Sequence, residues 1–132
     1  MSEQAAGTFT IDLWDPQDPY DDQDGVTLGR TTIRKVFDGD LLGTSEVQMT
    51  SVMAAASGSA AYVALEKVHG TLGGRKGSFV LRHAATASEA GQSSEITVVP
   101  GTGTGDLTGL VGTFVITKTD AGHTWTFDYT LG

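Results

Sequence analysis

Cysteine is absent from the 132 residues. That removes disulfide staples, thiolate nucleophiles and thiolate metal sites, and it suits a reducing cytoplasm. Basic residues are scarce: eight Lys and Arg against sixteen Asp and Glu give a formal net charge of −8. Nucleic-acid affinity rests on clustered cations, so no nucleic-acid partner is expected. No apolar run approaches the roughly 18 residues of a membrane-crossing helix, so no membrane role is expected either. The opening MSEQAAGTFT lacks the basic-then-apolar form of a secretory signal, and the expected location is cytoplasmic. Aromatics are few, and no stretch carries the apolar period of an amphipathic helix.

What is present is glycine, eighteen of them, between short runs of β-rich residues. The length suits one domain, residues 1–132, able to bury a core without staples. Ala60 to His83 organises it. Gly73-Gly74 separates two strand-like runs, the signal of a two-residue hairpin turn in which both residues take positive φ. That turn sets Ala64 opposite His83, Glu66 opposite Leu81, Val68 opposite Phe79 and Gly70 opposite Gly77. Side chains alternate along a strand and opposed residues share a face. Tyr62, Ala64, Glu66, Val68, Phe79, Leu81 and His83 therefore form one face. The other, with Lys67, His69, Lys76, Ser78 and Arg82, is charged and belongs in solvent. A carboxylate, an imidazole and a phenol are thus expected among apolar side chains, with Glu66 and His83 as diagonal neighbours.

Around this hairpin, Phe9, Ile11 and Leu13 read as the buried face of a first strand ending at Trp14-Asp15-Pro16. Residues 15–25, DPQDPYDDQDG, hold five aspartates and two prolines and read as a solvated acidic loop that would serve as a lid. Val26–Phe37 and Leu41–Met53 form a second hairpin about Asp38-Gly39-Asp40. A two-residue turn there puts Val26, Leu28, Arg30, Thr32, Arg34 and Val36 on the core face with Leu41, Ser45, Val47, Met49 and Met53. Arg30 and Arg34 would then line the interior or reach water from its rim. Residues 54–59 form a small-residue connection. Ala84–Ser94 reads as a loop and Ile96–Val99 as a short strand. In the last hairpin a three-residue loop, Asp120-Ala121-Gly122, would gather Val111, Val115, Trp125, Phe127, Tyr129 and Leu131 on one face. Phe114 and Ile116 fall on the other. Seven or eight short antiparallel strands with glycine turns argue a closed barrel or a sandwich.

Several chemistries are excluded by spacing. An EF-hand frame centred on Gly25 would put Tyr20 and Thr31 where carboxylates are required. The run PGTGTGDLTGLVG holds no G-x-G-x-x-G spacing, no Gly-Lys-Ser/Thr and no following helix, so its glycines serve bends and bulges. His69, His83 and His123 do not share a face, and no metal is expected. Ser78 and His83 lie on opposite faces, without a nucleophile elbow.

The combination of Trp14-Asp15, Val36 to Leu41, Tyr62 to Glu66, Gly70, Gly73 to Arg75, Gly77 to Phe79, His83, Pro100 to Gly105, Leu107 to Gly109 and Asp128-Tyr129 resembles an uncharacterised bacterial family, a domain of unknown function. Proteins of that family are similar to the allene oxide cyclase barrel, a closed antiparallel eight-stranded β-barrel around an apolar lumen. Dirigent proteins and bacterial spirocycle-forming cyclases share that barrel, and a segment like Thr104 to Gly112 recurs in them. The resemblance implies an all-β barrel, no cofactor, a small apolar molecule in the lumen, and a homo-oligomer, dimer or trimer.

A cyclase or isomerase of this type acts by orientation and by one or two buried polar groups. Glu66 is the candidate acid or base, its carboxyl raised by desolvation among Val68, Phe79 and Leu81. His83 would share its proton or orient it, and Tyr62 or Tyr129 would donate a hydrogen bond to a developing oxyanion. Arg30, Arg34, Met49, Phe79, Leu81, Trp125 and Tyr129 would line the ligand. The competing reading of Glu66 is a structural ion pair with Arg30, Arg34 or Arg75, which would lower its pKa instead. A non-catalytic carrier, and a barrel filled by its own side chains that acts through its oligomeric surface, stand as alternatives.

Overall fold

In the computed structural model, which describes residues 2–131, nine strands form one antiparallel sheet. They are β1 (Glu3–Pro16), β2 (Asp21–Gln23), β3 (Val26–Gly39), β4 (Leu41–Ala54), β5 (Ser59–Leu72), β6 (Arg75–Ser88), β7 (Gly91–Val98), β8 (Leu110–Thr119) and β9 (Gly122–Leu131). From β3 to β9 each strand pairs with its chain neighbour, and β1 pairs with both β9 and β3, so the sheet closes on itself. β1 and β2 lie end to end along β3, one against Thr31–Gly39 and the other against Val26–Leu28. They share one stave, and the barrel has eight. Closure leaves few strand edges to manage.

The central hairpin has the expected register: Ala64 opposite His83, Glu66 opposite Leu81, Val68 opposite Phe79 and Gly70 opposite Gly77. Gly73 and Gly74 both take positive φ, 56° and 83°. Two other hairpins differ from expectation by one residue. Between β3 and β4 the last facing pair is Phe37 and Gly43. Asp38 and Gly39 turn aside to pair with β1, and Leu41 and Leu42 pair with β5. The connection is thus a splayed corner. Ala6 N–H donates to Asp40 Oδ2 at 2.9 Å, Asp40 N–H to Ala6 O at 3.0 Å and Gly73 N–H to Asp40 O at 3.0 Å, which pins the corner to its neighbours. The consequence is that Thr31, Ile33, Lys35 and Phe37 point inward, whereas Arg30, Arg34 and Val36 are exposed. At the other hairpin the turn is Asp120-Ala121, with Thr119 opposite Gly122. Phe114 and Ile116 therefore face the interior beside Phe127 and Trp125, and Val111 and Val115 face out. A one-residue slip moves a whole strand's side chains to the opposite face.

Two segments expected as loops contain strand. Within 15–25, β2 forms a hairpin with β3 through Asp24-Gly25, both at positive φ, 61° and 75°. Asp21–Gln23 of that segment thus continue the barrel wall alongside β3. Ala84–Ser88 extends β6 and pairs with Gly91–Glu95 of β7, so 84–94 is a hairpin as well. In β1 a register shift between Ile11 and Leu13 ends the simple alternation, which leaves Ile11 exposed.

Inward side chains stack in cross-strand rows. At one end Leu41, Leu72, Leu107, Leu110, Phe79, Phe114, Trp125 and Phe127 are almost wholly buried. Phe114 stacks on Trp125 with ring centroids 5.2 Å apart, and Phe79 on Phe127 at 6.0 Å. Burying side chains of this size stabilises the fold by roughly 1.5–3 kcal/mol each. Leu107 enters from a short 3-10 turn, Gly105–Leu107, in the segment between β7 and β8. That segment continues along β6 by side chains: Thr104 Oγ1 accepts from Ser78 N–H at 3.0 Å and Thr102 Oγ1 from Val80 N–H at 3.1 Å. It closes this end of the barrel, which explains why Ser78 is buried on an outward-facing position.

Where the wall bends sharply, Gly43, Gly70 and Gly77 face one another in a single row. A Cβ on Gly70 would sit 2.4 Å from Leu42 O, and one on Gly77 would sit 2.1 Å from Thr104 O. Gly70→Ala is expected to lower stability by about 3 kcal/mol, because backbone must move to admit the methyl group. Gly29→Ala, whose Cβ would meet only Ser51 Oγ at 3.8 Å, should stay within about 1 kcal/mol of wild type. Urea midpoints of the two variants test this; equal stabilities would refute the row's requirement for glycine.

Candidate functional site

Four staves supply the polar centre. Glu66 on β5 is completely buried between Val47 of β4 and Leu81 of β6. Its Oε1 accepts from His83 Nε2 at 2.7 Å and from Lys35 Nζ at 3.3 Å, and its Oε2 accepts from Ser45 Oγ at 2.5 Å. Lys35 also lies over the Phe9 ring, 4.6 Å from its centroid. The other face-to-face partner of Phe9 is the His123 imidazole, at 4.7 Å. No buried side-chain nitrogen or oxygen among the described residues lacks a hydrogen-bond partner.

Burial by itself pushes the Glu66 carboxyl up. The hydrogen bond from His83, the charges of Lys35 and His83 and the bond from Ser45 together outweigh it, and hold the group below its ordinary value of 4.5. The expectation of a raised, acid-donating Glu66 is therefore corrected: it is a carboxylate with three donors. The ion pair is of the structural kind, but its cation is Lys35. Of the arginines expected as partners, Arg34 pairs with Glu46 at 3.1 Å and Arg75 with Glu3 at 3.6 Å, both outside. Arg30 stands over the Tyr20 ring at 5.3 Å, also outside. Neither Arg30 nor Arg34 enters the lumen.

Toward the open end the inward side chains are smaller than at the closed end. Ile33, Val47 and Ala64 form a second apolar cluster, with Met49 and Tyr62 packed on it. Past that floor come the rows Gly29–Ser51–Tyr62–Ala85–Ser94 and Thr27–Met53–Ala60–Ala87–Gln92. Glycine, alanine and serine there cannot meet across the barrel, and a cavity of about 810 Å³ results. β9 begins at Gly122 and reaches β1 only as far as Phe9, while β1 runs on to Pro16. The hollow end is consequently a cup with one low side.

Sequence-expected residues divide between these regions. Glu66 and His83 meet, as their register implied. Tyr62 and Met49 line the cup, and no side-chain hydrogen bond joins Tyr62 to the Glu66 network. Phe79, Leu81, Trp125 and Tyr129 do not line a cavity; they fill the closed end, where Trp125 Nε1 donates to Thr8 O at 3.0 Å and Tyr129 stacks on Phe127. Burial and the Glu3 carboxylate push the Tyr129 phenol up, although Arg75 opposes them. Neither Glu66 nor His83 lines the cup; the Ile33–Val47–Ala64 layer intervenes at Glu66. Lys35 and Ser45 were missed as partners of Glu66. Lys35 between Ile33 and Phe37 is the pattern that betrays an inward lysine. Among the described residues no three His, Asp or Glu side chains converge as a metal would need.

The molecule is thus an eight-stranded antiparallel barrel, packed solid at one end, hollow at the other, with an ion-paired carboxylate between. Residues 5–129 match the model of a family described as "Protein of unknown function (DUF3224)", and the chain belongs to that family. It is similar to the crystal structure of a DUF3224 protein of unknown function from Shewanella oneidensis MR-1, with a TM-score of 0.92 and 38% identity, covering 100% of this chain and 98% of that one. No curated protein matches the sequence.

Replacing Glu66 by Gln leaves Lys35 buried without its counter-charge, and should cost about 3 kcal/mol of stability at neutral pH. Adding Lys35→Met should restore part of the loss. Because the folded-state pKa of Glu66 lies below its unfolded value, its contribution is fully present above about 4.5 and disappears as pH falls through the lowered value. Urea midpoints measured down a pH series should show wild type and Glu66→Gln converging in acid; a constant gap would overturn the assignment.

Proposed function

We propose that the protein binds a small, predominantly apolar organic molecule in the cup. The observation that carries this reading is the cavity itself: about 810 Å³, lined by Met49, Met53, Tyr62 and alanines, with a few hydroxyl and amide groups. Ligand sites have this size and this mixture of apolar wall and sparse polar groups. The resemblance to the allene oxide cyclase barrel supports the same reading, since it also implies an apolar lumen and no cofactor.

Catalysis by a cofactor-independent cyclase or isomerase is an extension of this proposal. Its polarising group would be Tyr62, which lines the cup. Glu66 would act as a positioning residue, holding the His83 imidazole through Nε2 beneath the floor of the cup. The lowered Glu66 pKa argues against its being the acid itself.

Methyl NMR of Met49 and Met53, titrated with a panel of uncharged aromatic and aliphatic compounds, tests the binding reading. Saturable shifts at both methyl groups are expected, and Ala85→Phe should abolish them by filling the cup while leaving the circular dichroism unchanged. If no compound shifts either methyl group, or if Ala85→Phe leaves the shifts intact, the cup is not the binding site.

A further inference from the structure

The cup is apolar and uncharged, but its surroundings are not electrically neutral. No Lys, Arg, His, Asp or Glu side chain lines the cavity. The β2–β3 hairpin at its mouth carries Asp21, Asp22 and Asp24, with no basic residue between Asp21 and Leu28, and the β6–β7 turn carries Glu89; the nearest cation along β3, Arg30, lies on the outer face over Tyr20. Asp22 lies opposite Thr27, so its side chain shares the inward face. Its Oδ1 accepts from Thr27 Oγ1 at 2.8 Å, and Thr27 is part of the cavity wall. One carboxylate is therefore tied directly to the cup.

The eight basic residues are placed elsewhere. Arg30, Arg34, Lys67 and Arg82 occupy outward positions, the second and fourth of them paired with Glu46 and Glu95. Lys35 is neutralised by Glu66 below the floor. Arg75 and Lys76 stand at the closed end, after the Gly73-Gly74 turn. Lys118 flanks the β8–β9 turn, which also holds Asp120. With a net charge of −8 behind it, the mouth concentrates a negative potential over a low-dielectric hollow, and such fields sort small ions by sign.

Resting on the reading of the cup as a binding site, we infer that its ligands are organic cations. The apolar body of a protonated amine seats against Met49, Met53 and Tyr62, and its ammonium group remains at the mouth beside Asp22. Carboxylates of the same shape are rejected, because they would leave water without any cation to meet them.

Three probes with one ring system separate this inference from the reading beneath it: naphthylethylamine, naphthylethanol and naphthylacetate, titrated at low and high salt. The amine should bind about tenfold more tightly than the alcohol at low salt, the equivalent of one partly screened ion pair, and the acetate more weakly than either. High salt should shrink the difference. Asp22→Asn with Glu89→Gln should bring the amine to the alcohol's affinity and leave the alcohol unchanged. Binding of none of the three overturns the cup as a site. Binding of the alcohol or the acetate as tightly as the amine overturns the cation inference and leaves the cup standing. An amine advantage that survives both this double substitution and the further change of Asp21 and Asp24 to Asn also overturns it, since the acids would not be its source.

Discussion

The Glu66 carboxylate lies wholly out of water, and a charge so placed is tolerated only where donors meet it from several directions. Here they come from three other strands: Lys35 on β3, Ser45 on β4 and His83 on β6. Each donor sits at an inward position only in the observed register. Shifting β3 by one residue would replace the Lys35 ammonium by the bulkier Arg34 guanidinium in one direction, or by the uncharged Val36 in the other. The network therefore acts as a lock on the relative positions of β3, β4, β5 and β6. Its low pKa is the electrostatic expression of the same geometry.

That lock stands where the two halves of the barrel meet. Below it, aromatic and leucine side chains fill the space, and the segment carrying Leu107 closes the end. Above it, the inward rows turn to glycine, alanine and serine, and the walls no longer touch. A filled barrel and a hollow one are thus not alternatives for this chain; it has one of each, end to end. The solid half supplies the stability that lets the hollow half remain hollow. At the open end the β2–β3 hairpin adds Asp21, Asp22 and Asp24 to the rim, whereas closed-end acids such as Glu3 and outer-wall acids such as Glu46 and Glu95 are paired with arginines.

The central hairpin was legible because Gly73-Gly74 determines its own turn geometry, and register follows from the turn. Fold class was legible too, from short β-rich runs and abundant glycine. The failures have a common form. At β3–β4 the strands separate toward different neighbours, so Asp38 to Leu42 obey the pairing of β1 and β5 and not a two-residue turn. At β8–β9 the turn is one residue shorter than the Asp-Ala-Gly run suggests. Each error of one residue turned a strand inside out, misplacing Arg30 and Arg34 in one case, Phe114 and Ile116 in the other. Residues 84–94 look like a loop because small and polar residues lining an open cup have the composition of a loop, and 15–25 because its aspartates and prolines are exposed.

By itself, then, the sequence determined an all-β chain, the pairing of β5 with β6, and the burial of Glu66 and His83 on one face, since these depend on local turn chemistry and on side-chain alternation. Only the tertiary structure decided that Lys35 neutralises Glu66, that Phe79, Leu81, Trp125 and Tyr129 fill space while Tyr62 and Met49 border it, and that alanine and serine rows enclose a cavity. Those outcomes depend on which strands a residue meets after the sheet has closed. Closure is set by corners and bulges whose partners lie far away in the chain, and no local pattern of residues records them.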